Sequence, residues 1–276
     1  MPYIETNGAD TFYLDEGEGQ PLVFIPGMMR DHRTWNHQAE ALSERYRVIR
    51  YDVRGRGLTG PTDAEEYTFE LYANDLHELR SELGLDDPVV CGHSYGSHIA
   101  FSYASRFQTA GLVAISGGPP NVGMDLSERQ GKIFQKMTEL LKLLTDEAGY
   151  YEAEAALNDV MDTALDGLNE DPEAIEGVLN TGDVPGMTGE EILKVSAVGN
   201  DDGFDISRID VPVLGLFGEI EHEYFQSHIN EMEANLKNIE IRIVPRAGHD
   251  LPTARPEFVA DELDSFIKQK ISSVTD

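Results

Sequence analysis

The chain has 276 residues, 40% of them hydrophobic, which is enough to bury a large core, and no apolar run reaches the ~20 residues of a membrane span. Its 51 acidic against 21 basic residues leave a net charge of −30, a balance that repels nucleic acid and anionic membranes as partners. The single cysteine, Cys91, excludes an internal disulfide and a thiolate-rich metal site, and its place in "VVCG" predicts a small buried side chain.

At the N-terminus, "YIETN" and "TFYLDEG" read as an antiparallel hairpin, and the opening "MPYIETNGADTF" lacks a charged start followed by an apolar core, so a cytoplasmic location is expected. Apolar runs follow at Leu22–Pro26, Tyr46–Asp52, Val89–Gly92, Leu112–Gly117 and Val211–Gly218. Most are nearly continuous, as in parallel strands covered on both faces. Between the first four lie helical spacings around Thr34–Tyr46, Thr68–Leu83 and Ser97–Arg106, giving a β-α-β-α order. The last strand pattern, Asn238–Val244, alternates Ile239, Ile241 and Ile243 with Glu240 and Arg242, which predicts an edge strand wetted on one face. The alternation breaks between Gly118 and about Ile206, where apolar residues recur at three- and four-residue steps without a convincing strand. This predicts an inserted helical lid over 119–205, splitting a core of 1–118 and 206–276.

The solvent leaves its own mark. Such acidity, with Arg outnumbering Lys, resembles proteins of salt-accumulating halophiles, where a Debye length of ~3 Å at 1 M screens self-repulsion. An ordinary acidic enzyme is the alternative, and neither bears on the reaction.

The stretch "VVCGHSYGSHIAF" carries the chemistry. Gly92-His93-Ser94-Tyr95-Gly96 fits G-x-S-x-G, in which a strand ends, the chain turns sharply and a helix starts under the serine. A serine hydroxyl needs a base to take its proton, an acid to orient that base, and donors for the developing oxyanion. On such a sheet the partners follow in the order Ser, acid, His, each on a loop after a strand. Of eight histidines, His249 alone follows the final strand, in "IRIVPRAGHDLPTARPEF". His93 is the variable residue of the turn and is expected not to reach over Ser94. His98 lies on the following helix, and His32, His37, His77 and His228 are expected on the surface.

Together these segments resemble the α/β-hydrolase superfamily, in its lid-bearing esterase, lactonase and C–C-hydrolase branch. The likeness covers Pro21–Gly118 and Asp210–Ile267. It implies an α/β fold with an eight-stranded, mostly parallel sheet flanked by helices and a helical lid. "IPGMMRDHRTW" resembles the loop after the third strand, so Gly27 precedes the Met28 N–H as one oxyanion donor, and the Tyr95 N–H is the other. Pro26 stands where the family usually has histidine. "YDVRGRGLTG" resembles the family's Asp-x-Arg-Gly-x-Gly-x-Ser turn, with Thr59 at the serine position. After "VPVLGLF" the family has Gly-x-x-Asp; here Gly218-Glu219-Ile220-Glu221 puts Glu221 in the acid position, with Glu219 and Glu223 as nearby rivals.

Epoxide hydrolysis and dehalogenation on this fold resemble a mechanism with an aspartate nucleophile, whereas position 94 is serine. No metal-spaced motif and no phosphate-cradling glycine loop is evident, so neither metal nor cofactor is expected. The expected activity is acyl transfer to water from a small-molecule ester or lactone, by Ser94, His249 and Glu221. C–C cleavage, aminopeptidase-type release and perhydrolysis are alternatives on the same residues. A ligand-binding protein on a hydrolase scaffold is the alternative of another class. Nothing in the sequence fixes the oligomeric state.

Overall fold

A computed structural model describes residues 2–28, 30–123 and 189–271. The N-terminal hairpin forms as expected: β1 (Tyr3–Thr6) pairs antiparallel with β2 (Ala9–Glu16), Thr6 opposite Ala9. Asn7 and Gly8 make the turn with φ of 46° and 82°, the positive angles of a two-residue turn that follows the strand twist. Six further strands complete one sheet: β3 (Pro21–Ile25), β4 (Arg47–Tyr51), β5 (Val89–His93), β6 (Gly111–Ile115), β7 (Val213–Gly218) and β8 (Ile239–Val244). The order is β1-β2-β4-β3-β5-β6-β7-β8, parallel from β4 onward and antiparallel at β1–β2 and β2–β4. This is the α/β-hydrolase fold.

Helices cover both faces because alternate residues of each strand point to opposite sides. Val23 and Ile25 of β3 belong to a core shared with α2 (Phe69–Leu83), α3 (Tyr95–Arg106) and α5 (Gln226–Asn235). Leu22 and Phe24 face the opposite core, with α1 (Asn36–Leu42) and α6 (Pro256–Phe266). Trp35 is fully buried there, its ring stacked on Phe24 at 4.7 Å. Cys91 is buried in the same layer, as its setting predicts.

Helix ends follow local chemistry. Thr68 caps α2 by accepting the Leu71 N–H at 3.0 Å, and Gly84 closes that helix at φ 59°. The β8 edge is less regular than its alternation suggests: Ile239 and Ile241 pack against the core while Ile243 is exposed. On the same strand Arg242 pairs with Glu240 and Glu262, which keeps an edge of the sheet charged.

Of the expected lid, residues 124–188 lie outside the described residues. The described remainder, between β6 and β7, contains α4 (Gly189–Ser196). Among the described residues no helix is long and apolar enough to cross a membrane.

Candidate functional site

The parallel strands deliver their following loops to one edge of the sheet. Strands β4 and β5 lie on either side of β3, so the chain order reverses at this point, which is where open α/β sheets bind their ligands. Ser94 sits there. β5 ends at His93 and α3 begins at Tyr95, so Ser94 alone makes the turn, with φ 53° and ψ −119°, values a non-glycine residue rarely holds. The two glycines are required by contact. A Cβ on Gly92 would lie 2.1 Å from the Gly96 carbonyl oxygen, and one on Gly96 would lie 2.5 Å from the Ile25 carbonyl oxygen. The Ser94 N–H donates to the Ile115 carbonyl at 2.8 Å, which ties the turn to β6.

His249 meets this serine from the loop after β8. Its Nε2 lies 2.9 Å from Ser94 Oγ, and its Nδ1 lies 2.6 Å from Glu221 Oε2. The loops after β7 and β8 are stitched together, which sets that separation: the Glu219 N–H donates to Val244 O at 2.9 Å and the Ile220 N–H to Ala247 O at 3.1 Å. A Cβ on Gly218 would lie 2.2 Å from Ala247 O, so only glycine lets the two loops approach this closely. Of the three rival carboxylates, the structure brings Glu221 to His249. Glu219 is exposed and accepts the Arg246 N–H at 2.8 Å, while Glu223 is exposed in the short 3₁₀ turn His222–Phe225.

Glu221 is buried at 3% exposure. Its Oε1 accepts from the Ser116 hydroxyl and, at 3.2 Å, from the Gly218 N–H. Burial alone would raise its carboxyl, but the facing His249, that hydrogen bond, Ser116 and Gly218 together hold it below the usual value. For His249 the balance has the opposite sign. Burial works against the protonated ring, the Glu221 charge and hydrogen bond and then Asp250 favour it, Arg30 opposes, and the net shift is upward. Half of the imidazole side chain is open to solvent, so the ring can exchange its proton.

The two segments expected to carry the oxyanion donors both lie beside Ser94. A Cβ on Gly27 would lie 3.5 Å from Ser94 Cβ, so Gly27 passes directly beside the serine. Met28 follows it, partly buried against the core. The Tyr95 N–H begins α3, where the first amides of a helix have no intrahelical acceptor and favour negative charge. Arg56, fully buried in the turn after β4, donates from Nη1 to Gly27 O and Met28 O, each at 2.7 Å.

The other histidines differ in how far they are buried. His93 is buried, and its Nε2 lies 2.8 Å from His249 O. The acceptor is a carbonyl, so that nitrogen donates. Burial first, then the His249 charge, lower the His93 pKa to about 4, which keeps the ring neutral near pH 7. His228 is a correction: it is 1% exposed, because α5 turns it inward against Gly118, Phe225 and His98. His32 and His77 are half-buried, and only His37 of that group is exposed. His98 is held through Nδ1 by Gly118 O at 2.8 Å.

The fold also gathers Asp31, His32 and Asp52 within 4.8 Å of one another, a cluster with no spacing signature. Its oxygens are already engaged. Asp52 accepts from the His32 N–H and Leu58 N–H at 2.7 Å each, and Asp31 is forked onto Arg33. The same turn explains Gly57, whose Cβ would lie 2.2 Å from Asp52 Oδ2. Thr59, at the position of the family serine, donates to Asp52 O at 2.6 Å and accepts the Phe12 N–H at 3.0 Å, a bracing role.

Ser116, Arg56 and His93 are the site-shaping residues that sequence reasoning misses. Ser116 is the first residue after β6 and has φ 51°. Its neighbouring strand β7 leads to the acid, so a serine at that strand end was the available signal.

The family model for the alpha/beta hydrolase family matches residues 22–262. The non-heme haloperoxidase of Rhodococcus erythropolis is 28% identical over 97% of this chain and all of its own length. Epoxide hydrolase 3 of Mus musculus is 21% identical over 97% of this chain and 76% of its own. Among solved structures, Est816, an N-acyl homoserine lactone degrading enzyme, superposes with a TM-score of 0.73 at 22% identity, covering 96% of this chain and 100% of that one. At that identity the likeness shows the fold.

Proposed function

The chain belongs to the alpha/beta hydrolase family, and from that premise we propose that it is a cofactor-free serine hydrolase of carboxylic esters or lactones. The observation that carries this reading is the continuous hydrogen-bonded chain from Ser94 Oγ through both nitrogens of His249 to buried Glu221. His249 Nε2 takes the Ser94 proton as Oγ attacks the carbonyl carbon. The carbonyl oxygen then becomes an oxyanion received by the Met28 and Tyr95 N–H groups. Collapse expels the alcohol, which takes the proton from His249 and leaves an acyl-serine. Water, deprotonated by the same nitrogen, releases the acid. Glu221 fixes the Nδ1–H tautomer and stabilises the imidazolium while it exists. We read residues 119–205, whose apolar residues recur at helical spacing, as an inserted lid.

Serine at position 94 argues against the aspartate-nucleophile chemistry of epoxide opening. A second reading, perhydrolysis, is favoured by the full-length likeness to a haloperoxidase. Hydrogen peroxide in place of water would attack the acyl carbon, breaking the ester to Ser94, returning its hydroxyl and releasing a peracid.

The test is covalent. A fluorophosphonate should add to Ser94, and Ser94→Ala should lose the mass shift together with turnover of p-nitrophenyl acetate, by about 10⁶-fold or to background. A mass shift that persists in Ser94→Ala would assign the nucleophile elsewhere. A panel of acyl esters and homoserine lactones, run with and without hydrogen peroxide, separates esterase, lactonase and perhydrolase. A labelled but inert protein would favour the binding-protein alternative.

A further inference from the structure

Arg56 is an expensive residue to keep where it is. Its side chain has no exposure, and among the described residues it makes no ion pair; its Nε and Nη2 have no hydrogen-bond partner there. Taking a guanidinium out of water without a counter-charge is unfavourable, and an apolar side chain would fill the same space. What it does contact is therefore informative.

Its Nη1 reaches two consecutive carbonyls, Gly27 O and Met28 O, both at 2.7 Å. The same guanidinium carbon stands 5.2 Å from the centre of the Tyr95 ring and 5.9 Å from that of Tyr72. One cation thus touches both segments that supply the proposed oxyanion donors. The Gly27 carbonyl and the Met28 N–H belong to one peptide unit, and in a planar trans peptide they point in opposite directions. Drawing the carbonyl toward Arg56 aims the N–H away from it. The Gly27 carbonyl also takes the Arg30 N–H at 3.3 Å, so the unit is fixed from two sides. A cationic donor on a carbonyl withdraws electron density along the amide and strengthens its N–H as a donor. Tyr95 is braced on the other side by the same charge over its ring face.

The geometry points to Arg56 as a positioning residue for the oxyanion hole, one that sets the direction and donor strength of the Met28 N–H and braces Tyr95 from beneath. It never meets the substrate. The sequence hides it, because it occupies the variable position between Gly55 and Gly57 of a turn whose other residues are explained by their own bracing. This inference rests on the acyl-enzyme reading above.

The test compares Arg56→Met and Arg56→Lys with Ser94→Ala. Losing a direct oxyanion donor costs roughly 10²–10³ in kcat, and an indirect support should cost less, so kcat for p-nitrophenyl acetate should fall about 10- to 100-fold in Arg56→Met. KM should stay within about threefold, since the ground-state carbonyl is held by other contacts. Affinity for a trifluoromethyl ketone, which forms a tetrahedral oxyanion on the serine, should drop by the same factor as kcat/KM. Arg56→Lys, which keeps one cationic donor, should fall between the two. A folded Arg56→Met with kcat within about twofold of wild type, or a loss carried by KM with ketone affinity unchanged, overturns the assignment. If Arg56→Met does not fold, Arg56→Lys is judged by kcat and ketone affinity falling together. Should Ser94→Ala keep its turnover, the acyl-enzyme reading has failed independently of Arg56.

Discussion

The two ends of the Ser94–His249–Glu221 chain are held in place by different kinds of constraint. The serine end is fixed by steric exclusion at its own turn: a Cβ on Gly92 would strike the Gly96 carbonyl at the start of α3 and one on Gly96 the Ile25 carbonyl of β3, so glycine is the only residue either contact allows. The acid end is fixed remotely. Glu221 is selected by Ser116, which is 105 residues away in the chain, and by His249, 28 residues further on. Steric exclusion leaves a mark in spacing, whereas a hydrogen bond across strands leaves none.

The largest expected effect tests the remote end. Glu221→Gln keeps the size but removes the charge that stabilises the imidazolium and allows the wrong tautomer, so kcat should fall by about 10⁴. Glu219→Gln and Glu223→Gln should stay within about tenfold, because exposed carboxylates that do not touch His249 do little for its proton transfer. Where residual Glu221→Gln activity is measurable, the acid limb of its kcat/KM profile should move to lower pH. The carboxylate raises the His249 pKa, so removing it leaves the imidazole neutral, and able to act as a base, further into acid. An unshifted limb would mean that Glu221 does not control that ring.

This division sets what could be read in the sequence. The sheet was legible because buried parallel strands are continuous apolar runs, and β3, β5 and β6 are buried at every residue. The N-terminal hairpin and the helix over Thr68–Leu83 were legible from short-range pattern in the same way. Family register put Glu221 in the acid position and left Glu219 and Glu223 as rivals, since a carboxylate at any one position is weak evidence in a chain with 51 of them. His93 makes a contact that the sequence does not show, its Nε2 reaching the His249 carbonyl, a partner 156 residues on. His228 was misjudged, because its burial depends on how α5 docks on the loop after β6.

A pair of glycine substitutions tests the local end. In Gly92→Ala the new methyl would lie 2.1 Å from a backbone carbonyl, so the elbow must shift. Overpacking of this kind costs about 1–3 kcal/mol, and a displaced nucleophile costs on the order of 10² in kcat. Gly248, beside the catalytic histidine candidate, has nothing within 4 Å of its Cβ position. Gly248→Ala should therefore stay within about twofold in kcat and about 0.5 kcal/mol in urea denaturation. Equal damage from both would remove the contrast between a sterically built elbow and an open loop.

The smallest effect isolates the hydrogen bond that selects the acid. Ser116→Ala removes one donor from Glu221 Oε1 and leaves the Gly218 N–H, so the carboxylate stays in place with weaker support. A hydrogen bond to a charged group contributes about 1.5–3 kcal/mol to stability, and kcat should fall by roughly tenfold at most as the Glu221–His249 contact loosens. The sign of its pH dependence follows from the depressed carboxyl. A group whose folded pKa lies below its unfolded value of 4.5 contributes stability that is complete above 4.5 and is lost as pH falls through the folded pKa. Ser116 is one cause of that depression. The stability gap between wild type and Ser116→Ala, measured by urea denaturation, should therefore be full at neutral pH and shrink once pH drops below 4.5. A gap of the same size at both pH values would show that Ser116 supports the loop without favouring the ionised acid, and the remote end would then be held by His249 and Gly218 alone.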